Sequence, residues 1–505
     1  MEKRLTLAIT LSLLVLLIWS TLIPKPQHID NKEVTQQTLT PAVIRSERVD
    51  NQVIHKEFSA SSLLKFSQEQ YEITFIEPQA TIKEATFKSY QNYKFPLHIG
   101  FVLDDKDLVF QKENSAPESV SFVYKDKNKQ ITKHFIFSNS NYTIQLKITI
   151  QNLSNTPLQL KLPLILGKLN FQDEPGQARF KDVIIATKEK VTHLAPHNNS
   201  TFADVRFLGF RDRYFCAIIE PTTNNYTAFI NKVNTQEFDI GLNAKEMTIL
   251  SNQQFEQKFN IYLGPQELRQ IANVNPEWTA IMYYGTFDFI AHLLLQLLDI
   301  LYHLVHNWGL VIVILSITIY FLLYPLTLKQ MRSMKQMQIL QPQIEELRKT
   351  YKDNPQKLNK EIMELYRQYK INPLSGCLPL ILQIPVFFAL YQVLMRSVDL
   401  KGANFWWIKD LSEPDRLFHL PGSLPILGNE INILPILMTI GMFIQQKFSM
   451  SATSGGSAEQ QKLMMIIFPF MFGFIFYHMP AGLVLYWFIN SVLTLAYQLR
   501  TNRKK

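Results

Sequence analysis

Apolar residues in this chain are gathered into long runs, and that segregation limits the fold more than any other feature. One run, 5–23, lies at the N-terminus. Five more, at 310–326, 377–395, 431–448, 463–479 and 481–499, crowd into the last 200 residues. A helix needs about 20 predominantly apolar residues to cross a bilayer. Backbone polar groups in hydrocarbon must be paired within the segment, so each run reads as a spanning helix. The hydrophobic content of 47% averages over these runs and a very different stretch between 24 and 280.

Charge placement orients the spans. The net charge of +9 alone does not choose between membrane and nucleic-acid partners, but its distribution is informative. Lys3 and Arg4 precede the first run, the segment 329–373 carries ten basic residues against five acidic ones, and the tail 500–505 is basic again. Cytoplasmic segments carry the excess of Lys and Arg, which puts all three inside. The loop 396–430 is balanced in charge and rich in Trp, Phe and Pro, so it belongs outside. Six spans with both termini in the cytoplasm satisfy every sign. The first run is expected to remain as an anchor (1–23): it is longer than a signal-peptide core, and no small-x-small site precedes Pro24.

After a polar linker at 24–59, residues 60–280 show short alternating β-prone runs such as 71–76, 119–124, 134–137 and 142–150, broken by turn formers. That texture predicts an all-β sandwich, lying outside the cytoplasm if the anchor is oriented as argued. Residues 281–307 carry Phe287, Ile290, Leu294, Leu298, Leu301 and Val305 at helical spacing among polar residues, which fits an amphipathic helix in the membrane surface. The basic segment 329–373 reads as a helical hairpin turning at 351–355. The expected fold is therefore a multi-pass α-helical membrane protein with six transmembrane helices and a separate β-sandwich domain.

No motif for catalysis, metal or cofactor emerges. His303 and His306 stand three residues apart, but no cysteine or further histidine completes a metal site. Cys216 and Cys377 fall in different kinds of sequence, which argues against a disulfide between them. His193, His197 and Glu220 are the best acid–base candidates of the β-region, where an enzyme or sugar-binding reading would place its chemistry; their spacing forms no motif. Polar residues on apolar helices say more. Ser316, Tyr320, Tyr324 and Thr327 fall on one face of the 310–326 run, and Tyr486, Asn490, Thr494 and Tyr497 repeat the pattern on the last run. The run between contributes Gln383. Such faces suit either a water-accessible groove or hydrogen bonding between helices. A small-solute transporter or channel would share them, but would normally add internal repeats and mid-membrane charges, and neither is present. Pro379, Pro385 and Pro469 fall inside spans and are expected to bend them.

Several motifs in order then resemble the YidC/Oxa/Alb insertase family. They are Tyr324-Pro-Leu-Thr327 with Leu340-Gln-Pro342, then Asn372-Pro-Leu-Ser-Gly-Cys-Leu-Pro379 with Gln383-Ile-Pro385, and Pro480-Ala-Gly-Leu-Val-Leu-Tyr486. The resemblance is strong over 280–500. Over 25–270 it rests on position and β texture, as in Gram-negative members, whose outer domain is a sandwich similar to sugar mutarotases. It implies a five-helix insertase core at 308–499 in the bacterial inner membrane, with the β-domain in the periplasm. It also implies no catalytic residue, cofactor or metal. Its implied partners are nascent membrane proteins, membrane lipids, the Sec translocon and, through targeting, the ribosome and signal recognition particle. By position, a hydrophilic groove open to cytoplasm and lipid would include Ser316, Gln383 and Tyr486, with Tyr320 and Asn490 on the same faces. A greasy client path would include Ile384, Pro385 and Phe387. One departure stands out: family members usually carry an arginine where this chain has Tyr320.

Overall fold

The computed structural model describes residues 63–105, 108–172, 177–223, 226–352, 354–369, 378–424, 428–450 and 458–502. The expected anchor and linker, Cys377 and the end of the basic tail lie outside these residues. The chain divides into two compact units, Met1–Tyr283 and Tyr284–Lys505.

Within the described part of the first unit, antiparallel strands build a sandwich. Its largest sheet has nine strands in the order Val191–Leu194, Asp182–Thr187, Val205–Arg211, Phe215–Pro221, Gln254–Pro265, Thr143–Asn152, Lys129–Phe137, Ser119–Lys125 and Gln111–Ala116. A four-stranded meander from Leu63–Ser67 to Tyr93–Gly100 packs against it through aromatic rings. Phe75 meets Phe122 and Phe135 at 5.3 and 5.2 Å, and Phe87 stacks on Phe215 at 4.2 Å. A five-stranded sheet containing Leu164–Asn170 approaches closely enough that a Cβ at Gly167 would lie 2.8 Å from the Phe210 ring. Alternation explains the strands: in Thr143–Asn152, Ile144, Leu146, Ile148 and Ile150 are buried while their neighbours face outward. Helix α1, Leu268–Val274, and a 3-10 segment, Pro276–Ile281, close the unit. Arg211 holds this end. It pairs with Asp182 at 2.5 and 2.7 Å and donates to the carbonyls of Ile281 and Tyr283 at 2.5 and 2.9 Å.

The second unit is helical: α2 Asp288–Val305, α3 Trp308–Ile339, α4 Gln341–Thr350, α5 Pro355–Gln368, α6 Leu378–Arg396, α7 Ile433–Met450, α8 Ala458–Phe476 and α9 Ala481–Asn502. Three described segments are long and apolar enough to cross a membrane, Gly285–Val305, Trp308–Leu328 and Ala481–Arg500; Ile433–Lys447 and Ile466–Phe476 are shorter apolar helices. Helix α3 packs on α2 and α9, α9 on α7, and α7 on α8. Helices α4 and α5 form a hairpin over a small core of Leu340, Ile344 and Tyr366, with Met337, Ile362 and Leu365 against it.

Three details bear on the sequence reading. In the segment expected on the membrane surface, Ala291, Leu294 and Leu298 are buried, while Phe289, Leu293, Ile300 and Leu304 are exposed. By length and composition it equally suits a span. Helix α3 does not stop at 326 but runs on to Ile339, 32 residues in all, with Pro325 inside it. That length is about 48 Å, against about 30 Å of hydrocarbon. Pro379 lies in the first turn of α6 rather than in its interior, where a missing N–H costs nothing, so only Pro385 interrupts that helix.

Candidate functional site

The polar positions of α3 and α9 are set by helical spacing on otherwise apolar helices. Neither Trp308–Leu328 nor 481–499 contains Asp, Glu, Lys, Arg or His. Of the eight positions singled out on these two faces, four bond back to their own helix. Ser316 donates to Ile312 O at 2.7 Å, Thr327 to Leu323 O at 3.2 Å, Asn490 to Tyr486 O at 2.9 Å and Thr494 to Asn490 O at 2.8 Å. A hydroxyl bonded this way loses its free proton but keeps acceptor capacity.

Other contacts cross between helices. The Gln383 side-chain amide of α6 donates to the Tyr486 hydroxyl of α9. The Tyr320 hydroxyl of α3 lies 3.5 Å from Leu493 O of α9, a long and weak bond. Tyr324 and Tyr497 add an edge-to-face ring contact at 5.6 Å, and Tyr324 also faces Tyr320 at 6.2 Å. Exposure grows along the face: Ser316 and Tyr486 are fully buried and Tyr320 is 9% exposed, while Tyr324, Gln383, Asn490, Thr494 and Tyr497 are half-buried. At 1.5 Å per residue the α9 groups run from about 8 to about 24 Å along that helix.

The positions Ile384, Pro385 and Phe387 do not share one environment. Ile384 is 39% exposed. Phe387 turns into an aromatic cluster with Phe388, Phe476 and Trp487 at 5.5, 5.9 and 5.1 Å, and Phe472 extends it. Sequence reasoning did not find this cluster; the density of Phe on α8 was the available signal. His478 is exposed in the turn after α8, so it is not one of the polar face's groups.

The acid–base candidates of the β-domain are dispersed. His193 sits on the edge strand of the nine-stranded sheet and stacks on Tyr283 at 4.5 Å, and His197 is exposed in a loop. Glu220 lies three strands from His193 and accepts from Asn275 at 3.1 Å. Three strand spacings are roughly 14 Å, too far for a shared proton. Cys216 is buried and free, and burial pushes its thiol far above the usual range. His303 lies 3.8 Å from Asp299. Among the described residues no three His, Cys, Asp or Glu gather as a metal site.

Family comparisons cover nearly the whole chain. A family model described as 60Kd inner membrane protein matches residues 300–505, and one described as YidC periplasmic domain matches 61–297. Membrane protein insertase YidC of Syntrophobacter fumaroxidans is 35% identical over 77% of this chain and 72% of its own length. That of Pelobacter propionicus is 31% identical over 100% of this chain and 99% of its own. The chain belongs to the YidC membrane protein insertase family. A crystal structure of an active YidC insertase covers 87% of this chain at 20% identity with a TM-score of 0.41. The YidC family is a family of insertases and not of enzymes, and nothing in these comparisons favours a transporter.

Proposed function

We propose that this insertase admits polar client segments through a neutral, hydrogen-bonding groove formed by α3, α6 and α9. The observation that carries the reading is the Gln383–Tyr486 bond, which joins α6 to α9 at the buried end of a face made only of uncharged polar groups. In hydrocarbon each unsatisfied polar group costs several kcal/mol. A hydrated face offering hydroxyl and amide groups lowers that cost for a passing segment, while Ile384 supplies an apolar edge for the client helix. The self-bonded hydroxyls of Ser316, Thr327 and Thr494 support a groove over inter-helix glue, because they spend their protons within their own helix rather than on a neighbouring one.

The groove opens, in this reading, toward the cytoplasm and sideways to lipid. In the same reading the chain sits in the bacterial inner membrane with both termini inside and the β-domain in the periplasm, an orientation supported by the basic charge of segment 329–373 and of the tail. Its clients are nascent membrane proteins, received beside the Sec translocon or from ribosomes delivered by the signal recognition particle. Tyr320, standing where relatives usually carry arginine, acts as a neutral donor.

Depletion and rescue tests this. The chain is expressed in cells stripped of their own insertase, and insertion of a small client with an acidic translocated segment is followed by protease protection. Rescue is expected. Rescue of neutral clients alone would mean that Tyr320 narrows the client range. Failure with every client, from stable and integrated protein, would overturn the proposal.

A further inference from the structure

Among the described residues Trp406 is the most exposed large apolar side chain, at 83%. It lies in the loop between α6 and α7, and its φ of 52° puts a bulky side chain in the left-handed region, an uncommon and strained conformation. Its surroundings are anything but loose. Phe405 and Ile408 exchange backbone hydrogen bonds at 2.8 and 2.9 Å, and Leu411 N donates to Ala403 O at 3.0 Å. Trp407 donates its indole N–H to buried Asp415 at 3.2 Å, and the same carboxylate oxygen accepts the amides of Ile433 and Leu434 at 2.9 and 3.0 Å, at the start of α7. Trp407 is thus tied into the protein. Trp406 makes no hydrogen bond among the described residues and stacks only on its neighbours Phe405 and Trp407.

The loop's height along the helices is also defined. Phe405 packs so tightly on Gly309 that a Cβ there would run into its ring, and Gly309 is in the first turn of the apolar segment Trp308–Leu328. At the same end Trp308 stacks on Tyr302 at 4.2 Å. An aromatic group is therefore held at the mouth of a span, with an apolar body uncovered and an indole N–H without a protein acceptor. That combination suits the headgroup boundary of a bilayer, where the ring meets acyl chains and the N–H meets carbonyl or water.

We propose that Trp406 is a lipid anchor, its indole seated in the headgroup–acyl boundary at the outer ends of α3 and α6 and fixing how deep the helical unit sits. This rests on the membrane-spanning reading of α3. Full-length protein is reconstituted in phosphatidylcholine–phosphatidylglycerol vesicles, and the emission of Trp406 is taken as wild type minus Trp406→Ala, checked against wild type minus Trp406→Phe. Phospholipids brominated just below the carbonyl should quench that emission at least twofold, while aqueous iodide leaves it nearly unchanged. Quenching by iodide alone places the indole in water, and quenching by neither places it under protein; both overturn the anchor. Resistance to alkaline extraction is read on the same vesicles. Integrated protein with an iodide-quenched Trp406 refutes the anchor alone, whereas extracted protein refutes the membrane reading with it.

Discussion

In the β-domain, strand Thr143–Asn152 hides every second side chain, whereas in α8 Ile466, Ile467, Phe470, Met471, Phe474 and Ile475 all stand exposed. The polar groups divide the other way. The β-domain buries ionisable groups, Lys133 and Arg211, while the apolar faces of α3 and α9 carry only neutral groups. One solvent explains the first pattern and another the second. In water an apolar surface must be covered by the chain itself, and a dry core then holds a charge only when it is enclosed and bonded. In lipid the apolar surface needs no cover, and association rests on close packing and a few hydrogen bonds. Gly473 shows that packing, since a Cβ there would collide with Thr439 across the contact of α8 with α7.

The sharpest way to break this comparison is to remove a buried charge. Arg211→Ala leaves Asp182 beneath the closing segment without its guanidinium, and the carbonyls of Ile281 and Tyr283 without those donors. The expected cost is about 3–5 kcal/mol, read as a lower urea midpoint by pulse proteolysis of the β-domain in the full-length protein. A cost below about 1 kcal/mol would mean that this end of the sandwich is wet.

Lys133 comes next. Its amine is fully buried, donates to the carbonyls of Ala80 and Phe101, and lies 5.7 and 5.5 Å from the rings of Phe110 and Phe135. Burial pushes it from its ordinary 10.5 down to about 7. Between those values the unfolded chain binds a proton that the native chain has released. Stability should therefore climb as pH rises from about 7 to about 10 and stay flat below, by an amount on the order of a few kcal/mol. Lys133→Met should remove the climb, and urea midpoints at pH 7 and pH 9 decide it.

How much of this was legible in the sequence depends on the range of the interaction. Strand Tyr71–Ile76 and the shared faces of α3 and α9 follow from periods of 2 and 3.6, which are local. The acceptors of Lys133 are 53 and 32 residues away, and Gln383 meets Tyr486 across 103 residues, so neither partnership leaves a local trace. Hydropathy ended the first core span at 326, but Gln, Met, Lys and Arg are good helix formers, so α3 runs on to Ile339. The resemblance put Phe387 on a greasy client path by position. Its packing against Trp487 and Phe476 left no trace in the sequence, because only tertiary contact decides which side of an apolar helix is covered.

In the helical unit Tyr486→Phe separates a groove from glue. If water reaches Gln383, its amide finds a new partner, and stability should fall by less than about 1 kcal/mol while client insertion slows several-fold. A dry contact would give the reverse, a loss of about 1–3 kcal/mol with insertion per folded molecule unchanged. Denaturant titration in detergent beside an insertion assay in vesicles reads both.

Tyr320→Phe should have the smallest effect on folding and the most selective effect on function. The bond to Leu493 O is 3.5 Å long, so its loss should cost no more than about 0.5 kcal/mol. If the hydroxyl serves clients, insertion should slow for segments rich in Ser, Thr, Asn or Gln and stay unchanged for wholly apolar ones, because only the former have polar groups to be satisfied part-way across. Tyr320→Arg sharpens the test: a charge at this position attracts acidic segments and should speed them relative to neutral ones. Unchanged insertion of every client by Tyr320→Phe would remove Tyr320 from the groove and leave the reading to rest on the Gln383–Tyr486 pair.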